Sequence, residues 1–206
     1  YLPPDLVQKL LDAAGIKRAN ELIVSSDDVV ESAAEKIGFP LVMKVVGPVH
    51  KSDIGGVSLN IKDISTVFSE MRRMLEIDGA KGVLLQPMLS GIELFAGVKK
   101  EDKFGHLIMF GLGGIFIEVT KDVRAVLTPV SETEVLEEIK KLKGYSIIKG
   151  TRGMDPIDEE KFVDIIVRLS SLVKVAPEII EMDINPLLGN KNEVVAVDAR
   201  IHISRS

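Results

Sequence analysis

The chain has 206 residues, of which 46% are hydrophobic and 28% are charged, enough to bury the core of one two-lobed domain or of two small ones. Its net charge of −5 argues against nucleic-acid binding, because neutralising phosphates needs clustered Lys and Arg. The sequence has no cysteine, which excludes disulfides, thiolate catalysis and Cys-ligated zinc, and this fits a cytoplasmic protein.

Helical and strand periods alternate in the first part of the chain and predict an α/β lobe over residues 21–90. A helix ends at Gly15, and a second begins at the cap residues 26–28 and closes at Gly38. Apolar residues at helical spacing indicate a third helix at 67–75. Short apolar runs predict strands at 21–25, 41–46, 57–61 and 82–86.

The remainder is richer in strands, and residues 1–20 and 91–206 are predicted to form a second lobe of a single domain, residues 1–206. A capping box from Ser131 to Glu134 starts a helix, and a last helix covers 162–172. The segment GNKN at 189–192 predicts a hairpin between two final strands. Other short strands are predicted at 93–98, 107–110, 115–119 and 125–128.

Lys44 interrupts the apolar strand at 41–46 and is the first candidate site residue. Burying an ammonium without a partner costs several kcal/mol, and a phosphate-bearing ligand would supply that partner. The alternative is that Lys44 points to solvent from the polar face of an edge strand.

A polar loop with the sequence GPVHKSDIGGV follows at residues 47–57. Its glycines would let backbone amides approach an anion. A neutral imidazole nitrogen is a competent nucleophile, so His50 could carry or relay a phosphoryl group. The alternative is a polar surface loop without chemistry.

A glycine-rich run, FGLGGIFIE, occupies residues 110–118. It matches neither of the two common phosphate-binding fingerprints. Three glycines between apolar strands can also be simply a tight turn. Glu118 extends the run with a carboxylate that could face a metal.

Polar and apolar residues alternate along the last two strands. This places Asp183 and Asn185 on one face of their strand, and Asp198 and Arg200 on one face of the next. If the turn centres near residues 190–191, Asp183 lies opposite Asp198. Such oxygen ligands suit Mg²⁺, although the solvated outer face of a sheet shows the same pattern.

Taken in order, six segments resemble the ATP-grasp component of ADP-forming acyl-CoA synthetases, which is related to the nucleotide-binding subunit of succinyl-CoA synthetase. The resemblance runs over residues 4–203, nearly the whole chain. One such motif would be weak, but six in family order are highly specific. The segments are Lys44, HKSD at 50–53, QPM at 86–88, FGLGG at 110–114, KGTRG at 149–153 and EMDINP at 181–186.

The resemblance implies an α+β (α/β) fold of the ATP-grasp type, in which two lobes clamp ATP or ADP. By analogy, Asn185 and Asp198 hold Mg²⁺, and Asp183 supports a phosphohistidine at the nucleotide site. Lys44 contacts the nucleotide phosphates, and residues 86–88 line the adenine pocket. The nucleotide-binding residues implied are Lys44, Lys51, Ser52, Gly55, Gln86, Pro87, Met88, Glu93, Gly113 and Arg152.

The resemblance also implies a ligase that is active only with a CoA-binding partner, either a separate subunit or a fused domain. In this family the partner handles acyl-CoA and phosphate, and one of its histidines carries the phosphoryl group to the ATP-grasp site. His50 resembles a second histidine that relays this group to ADP. No membrane partner is expected, since no stretch approaches the roughly 18–20 apolar residues that span a bilayer.

Two other functions remain open. Similar ATP-grasp domains occur as non-catalytic nucleotide-binding modules of protein lysine acetyltransferase fusions, but His50 and Asp198 favour a catalytic site. An ATP-grasp carboxylate–amine ligase forms an acyl phosphate directly and needs no relay histidine, so the His50 loop counts against it.

Overall fold

The computed structural model describes residues 1–48, 54–114, 121–151, 153 and 155–204. The chain divides into two compact units. The smaller unit is Ala19–Leu89, and the larger unit combines Tyr1–Arg18 with Ser90–Ser206. No helix in the described ranges is long and apolar enough to cross a membrane.

Helices and strands follow one another much as the hydrophobic periods predict, and the strands predicted at 41–46 and 57–61 have those bounds. The capping box is also confirmed, because the Ser131 side chain accepts a hydrogen bond from the Glu134 amide. The strand predicted at 115–119 lies outside the described residues. In chain order the elements are α1 (Pro4–Ala13), β1 (Leu22–Val24), α2 (Asp27–Ile37), β2 (Leu41–Val46), β3 (Val57–Ile61), α3 (Ile64–Leu75), β4 (Gly82–Pro87), β5 (Ile92–Glu101), β6 (Gly105–Leu112), β7 (Val123–Leu127), α4 (Glu132–Lys140), α5 (Tyr145–Ile148), α6 (Glu159–Val175), β8 (Ile179–Gly189), β9 (Val194–Ala196) and β10 (Ala199–Ile203).

In the smaller unit, α2 and α3 pack on one face of an antiparallel sheet. Its described strands lie in the order β1-β4-β2-β3, so β2 and β4 are internal. Met43 of β2 is fully buried in a core with Val67 and Met71 of α3. Because successive strand residues point to opposite faces, Lys44 projects from the other side of an internal strand.

In the larger unit, the described strands run in the order β10-β8-β5-β6-β7, and β9 also pairs with β8. One face of this sheet is covered by α1, α4 and α6, where Phe162 of α6 meets Phe110 of β6 edge to face with ring centroids 6.2 Å apart. Leu94, Ala96 and Val98 of β5 point into this core. The residues that alternate with them therefore lie on the opposite face.

The hairpin between β8 and β9 has its turn one residue later than predicted. The Asn190 amide donates to the Glu193 carbonyl at 2.9 Å. The Asn190 side-chain oxygen also accepts hydrogen bonds from the amides of Asn192 and Glu193. These bonds centre the turn on Lys191 and Asn192, and the register of the final strands shifts accordingly.

Candidate functional site

Lys44 is buried on an internal strand, with only 8% of its surface exposed. It lies between Leu84 of β4 and Val57 of β3. The alternative of a solvent-facing lysine on an edge strand is therefore wrong. In such surroundings an ammonium interacts strongly with an anion, because the effective dielectric constant is low.

Gln86 lies on β4, the strand next to β2, and points to the same side of the sheet as Lys44. It is 2% exposed, and its Nε2 donates a hydrogen bond to the Glu21 carboxylate. Pro87 is half-buried at the end of the strand, and Met88 is exposed. The segment thus combines an anchored amide with an accessible apolar side chain.

Several predicted site residues lie outside the described part of the chain. They are His50, Lys51, Ser52, Glu118 and Arg152. The described ends of the 47–57 loop are closely packed. Gly47 has φ +126°, and a Cβ there would lie 2.2 Å from the carbonyl oxygen of Gly79. Gly55 has φ +68°, and the Val45 amide donates to the Gly56 carbonyl at 2.8 Å.

The glycines at the end of β6 and directly after it are closely packed against neighbouring parts of the chain. The Gly113 amide donates to the carbonyl of Glu93 at 2.7 Å. Gly114 has φ +59°, and a Cβ there would lie 2.3 Å from Oε2 of Glu93. A Cβ on Gly111 would lie 2.4 Å from the carbonyl oxygen of Asp122. These close approaches fit the tight-turn alternative as far as Gly114, and the Glu93 carboxylate lies against Gly114.

Asp122 is a residue of this region that the sequence analysis missed. It is 7% exposed, and its two carboxylate oxygens accept hydrogen bonds from the amides of Lys143, at 3.0 Å, and Gly144, at 2.8 Å. It therefore joins the start of β7 to the loop before α5. A lone Asp near a glycine-rich run carries no sequence signal for such a pairing.

The final strands bring Asn185 and Asp198 together. The Asn185 amide donates to the Asp198 carbonyl at 3.1 Å, and the two side chains are exposed and half-buried respectively. Among the described residues, no three His, Cys, Asp or Glu side chains gather closely enough to hold a metal. A pair of one carboxylate and one amide oxygen fits Mg²⁺, which commonly takes one or two carboxylates and completes its shell with phosphate oxygens and water.

The predicted pairing of Asp183 with Asp198 is wrong. In the β8–β10 ladder Asp183 lies opposite Arg200, while Asp198 falls just before β10 begins. Moving the centre of the turn by one residue shifts the strand pairing by two residues. Because side chains alternate with a period of two, each residue stays on its predicted face of the sheet. The register places a cation, and not a second carboxylate, directly across from Asp183.

Asp183 is in an unusual electrostatic position for an exposed residue. Desolvation by the surrounding protein raises the pKa of its carboxyl above the ordinary value. Arg200 acts in the opposite direction and lowers this pKa, whereas Asp198 and Glu181 raise it further. The surroundings of Asp183 therefore favour the protonated form of its carboxyl, relative to a free aspartate.

A cavity of about 290 Å³ adjoins this carboxylate, on the face of the larger sheet that points away from the core. Its walls are partly apolar and partly polar. Lining residues include Phe95, Gly97, Met109, Val123, Asp183 and Asn185.

The family model of the ATP-grasp domain matches residues 1–203. The chain belongs to the ATP-grasp family, and the predicted α+β fold of this type is confirmed.

Within that family, the chain is an ATP-grasp component of the ADP-forming acyl-CoA synthetase type. It is 36% identical over 204 residues to the β subunit of ADP-forming acetate–CoA ligase I of Pyrococcus furiosus, with 94% of this chain and 88% of that one covered. It is 41% identical over 195 residues to ADP-forming acetate–CoA ligase II of Archaeoglobus fulgidus, with 93% of this chain covered. The chain spans only 29% of the length of that larger relative.

A solved structure gives the same result. Acetyl-coenzyme A synthetase 1 of Candidatus Korarchaeum cryptofilum, in complex with coenzyme A and Ca-AMPCP, superimposes with a TM-score of 0.91 at 35% identity. The match covers 96% of this chain and 90% of that one. The predicted family is therefore confirmed by sequence and by structure.

Proposed function

We propose that this chain binds ATP or ADP with Mg²⁺ and transfers a phosphoryl group between the nucleotide and a histidine of a CoA-binding partner. The observation that carries this proposal is the juxtaposition of Asn185 and Asp198, with Asp183 on the same strand face. Family membership supplies the reaction class, that of an ADP-forming acid–thiol ligase.

The smaller unit supplies Lys44 to the nucleotide phosphates. Its burial supports this role, because a charge-assisted contact in a low-dielectric site is stronger than one on the surface. Gln86 and Met88 contact the base. The other proposed nucleotide-binding residues are Lys51, Ser52, Gly55, Pro87, Glu93, Gly113 and Arg152.

Asn185 and Asp198 of the larger unit would hold Mg²⁺. The oxygen donor set supports this assignment, as does a Korarchaeum cryptofilum relative whose solved structure contains Mg-AMPPCP. When bound, the ion neutralises charge that develops on the transferring phosphoryl group.

The chemical step is a phosphoryl transfer from a phosphohistidine to ADP. The P–N bond breaks, and a terminal oxygen of the ADP β-phosphate forms the new P–O bond. The imidazole nitrogen keeps the electron pair of the broken bond, and the ring leaves as a neutral imidazole whose other nitrogen still carries its proton. Asp183 accepts a hydrogen bond from the other ring nitrogen, and His50 relays the group between the partner's histidine and the nucleotide.

The partner component, as a separate subunit or a fused domain, binds acyl-CoA and phosphate. Support comes from the named β subunits of Pyrococcus furiosus, of which this chain covers 88%, and from the larger relatives, of which it covers 29%. We propose that residues 1–206 make up a single ATP-grasp domain, and the match of the family model to residues 1–203 supports this. We also expect a cytoplasmic location.

Reconstitution tests the proposal. The chain alone should neither make nor cleave acyl-CoA, whereas addition of a CoA-binding partner should give ATP from acyl-CoA, ADP and phosphate. The His50→Ala variant should still bind ADP but stop ATP formation, because a covalent step is lost and not a binding contact. Full turnover by the His50→Ala pair would remove the relay. Acyl-CoA synthesis by the chain alone would overturn the two-component scheme.

A further inference from the structure

Three residues form a row across neighbouring strands of the larger sheet. Asp183 of β8 lies opposite Gly97 of β5 on one side and opposite Arg200 of β10 on the other. Directly opposite residues of antiparallel strands project to the same face. The row therefore presents an open backbone position, a carboxylate and a guanidinium side by side.

Gly97 leaves space on this face. A Cβ built there approaches only the carbonyl oxygen of Met182, at 3.1 Å, within 4 Å. The cavity beside Asp183 is open above this glycine. A longer side chain at position 97 would consequently extend into the cavity and not into the core.

The walls of the cavity suit a flat, partly polar ring. Phe95, Met109 and Val123 offer apolar contact, and Asp183 offers an acceptor at the edge. An imidazole ring can pack its faces against the apolar walls while its N–H donates a hydrogen bond to Asp183.

Arg200 and Lys99 lie on the same face of the sheet but in different surroundings. Lys99, which also lines the cavity, lies one row away and forms an ion pair with Glu101 at 2.9 Å. Arg200 is half-buried and lies directly across from Asp183. Among the described residues no ion pair or hydrogen bond joins the two side chains, so Arg200 acts on the Asp183 carboxylate through its charge, across the strand pair.

We infer that Gly97 keeps open the space in which the imidazole of the partner's phosphohistidine lies, and that Arg200 is a positioning residue that orients Asp183 toward it. This inference rests on the proposed function and names two residues that determine how the imidazole fits.

The first test fills the cavity. The partner is labelled on its histidine from acyl-CoA and radioactive phosphate, and the rate of transfer to ADP is measured with each variant. Gly97→Leu should slow the transfer about 100-fold, because a displacement of about 1 Å can cost that much, and should leave ADP binding by calorimetry unchanged. Gly97→Ala should lose less than about threefold, and Lys174→Leu, at an exposed position of α6, is the control with normal transfer.

The second test removes the guanidinium and does not depend on Gly97→Leu folding correctly. Arg200→Ala should lower the transfer rate about 10- to 100-fold, as loss of an orienting partner commonly does. Added guanidinium ion should restore part of the rate in Arg200→Ala and have no such effect on the wild type. Arg200→Lys should recover most of the rate, since it restores the positive charge opposite Asp183.

The outcomes separate this inference from the function on which it rests. If the wild-type pair transfers no label to ADP, the proposed function fails. If the wild type transfers label, and Gly97→Leu and Arg200→Ala do so at the wild-type rate, only the present inference is overturned. Loss of ADP binding in the Arg200→Ala variant would also overturn it, because Arg200 would then act on the nucleotide.

Discussion

The sheets of the two units carry their polar residues in different surroundings. In the smaller unit, Lys44 and Gln86 are only 8% and 2% exposed on internal strands. In the larger unit, Asp183 and Asn185 are exposed on a strand whose alternate residues are buried. The comparison teaches that polar residues on a strand indicate a site in two different ways. A buried charge such as Lys44 points to a site by itself, whereas exposed carboxylates do so only when the strand register shows which residues lie beside them.

The largest expected effect concerns the exposed face. Asp198→Asn should lower turnover of the reconstituted pair by at least about 100-fold and raise its Mg²⁺ requirement, because a hard cation depends on its few charged oxygens. The free energy of unfolding should change by less than about 0.5 kcal/mol, since the side chain is only half-buried. Asp102→Asn, on an exposed turn, is the control. An unchanged Mg²⁺ dependence would remove Asp198 from the metal site.

The next effect concerns the buried face. Lys44→Met should weaken ADP binding by about 1.5–3 kcal/mol, measured by calorimetry, because one charge-assisted contact is lost. Its melting temperature should be lower than that of the wild type, since removing a buried ion leaves its interaction partner uncompensated. Lys62→Met, at an exposed position of the same unit, should change neither quantity. Unchanged ADP affinity in Lys44→Met would contradict the claim that the buried lysine of the smaller unit binds the nucleotide.

A smaller effect tests how firmly the loop after β2 is attached. Gly47→Ala should destabilise the chain by about 1–3 kcal/mol in denaturant unfolding, because φ is +126° and the new Cβ would lie 2.2 Å from the Gly79 carbonyl oxygen. Gly79→Ala is the control. It also has a positive φ, +77°, but a Cβ there meets nothing within 4 Å, so its cost should be nearer 1 kcal/mol. Equal stabilities of the two variants would contradict the close packing at Gly47.

The sequence predicted the features that are local. Apolar periods located the helices and strands, and Lys44 stood out because its neighbours in β2 are all apolar. Alternation along β8 correctly placed Asp183 and Asn185 on one face. These predictions succeed because buried residues recur along the sequence at the spacing characteristic of a helix or of a strand.

The features that depend on pairing between distant strands could not be predicted. Gly97 and Asp183 are neighbours only because β5 pairs with β8, and no local pattern records that pairing. The Asp183–Arg200 pairing depends on the turn between β8 and β9. The Asn190 side-chain oxygen accepts a hydrogen bond from the Asn192 amide in this turn, whose centre lies one residue later than predicted. The helix α5 (Tyr145–Ile148) was missed because four residues are too few to show a helical period.

The most direct test of the central claim follows the phosphoryl group itself. The chain, the CoA-binding partner and Mg²⁺ are mixed with ATP radiolabelled at its γ-phosphate, and the trapped phosphoproteins are resolved by chain. We expect acid-labile label on the partner's histidine only when this chain is present, and its loss when His50→Ala replaces the wild type. Label that reaches the partner without this chain, or never reaches it at all, would contradict the proposed transfer.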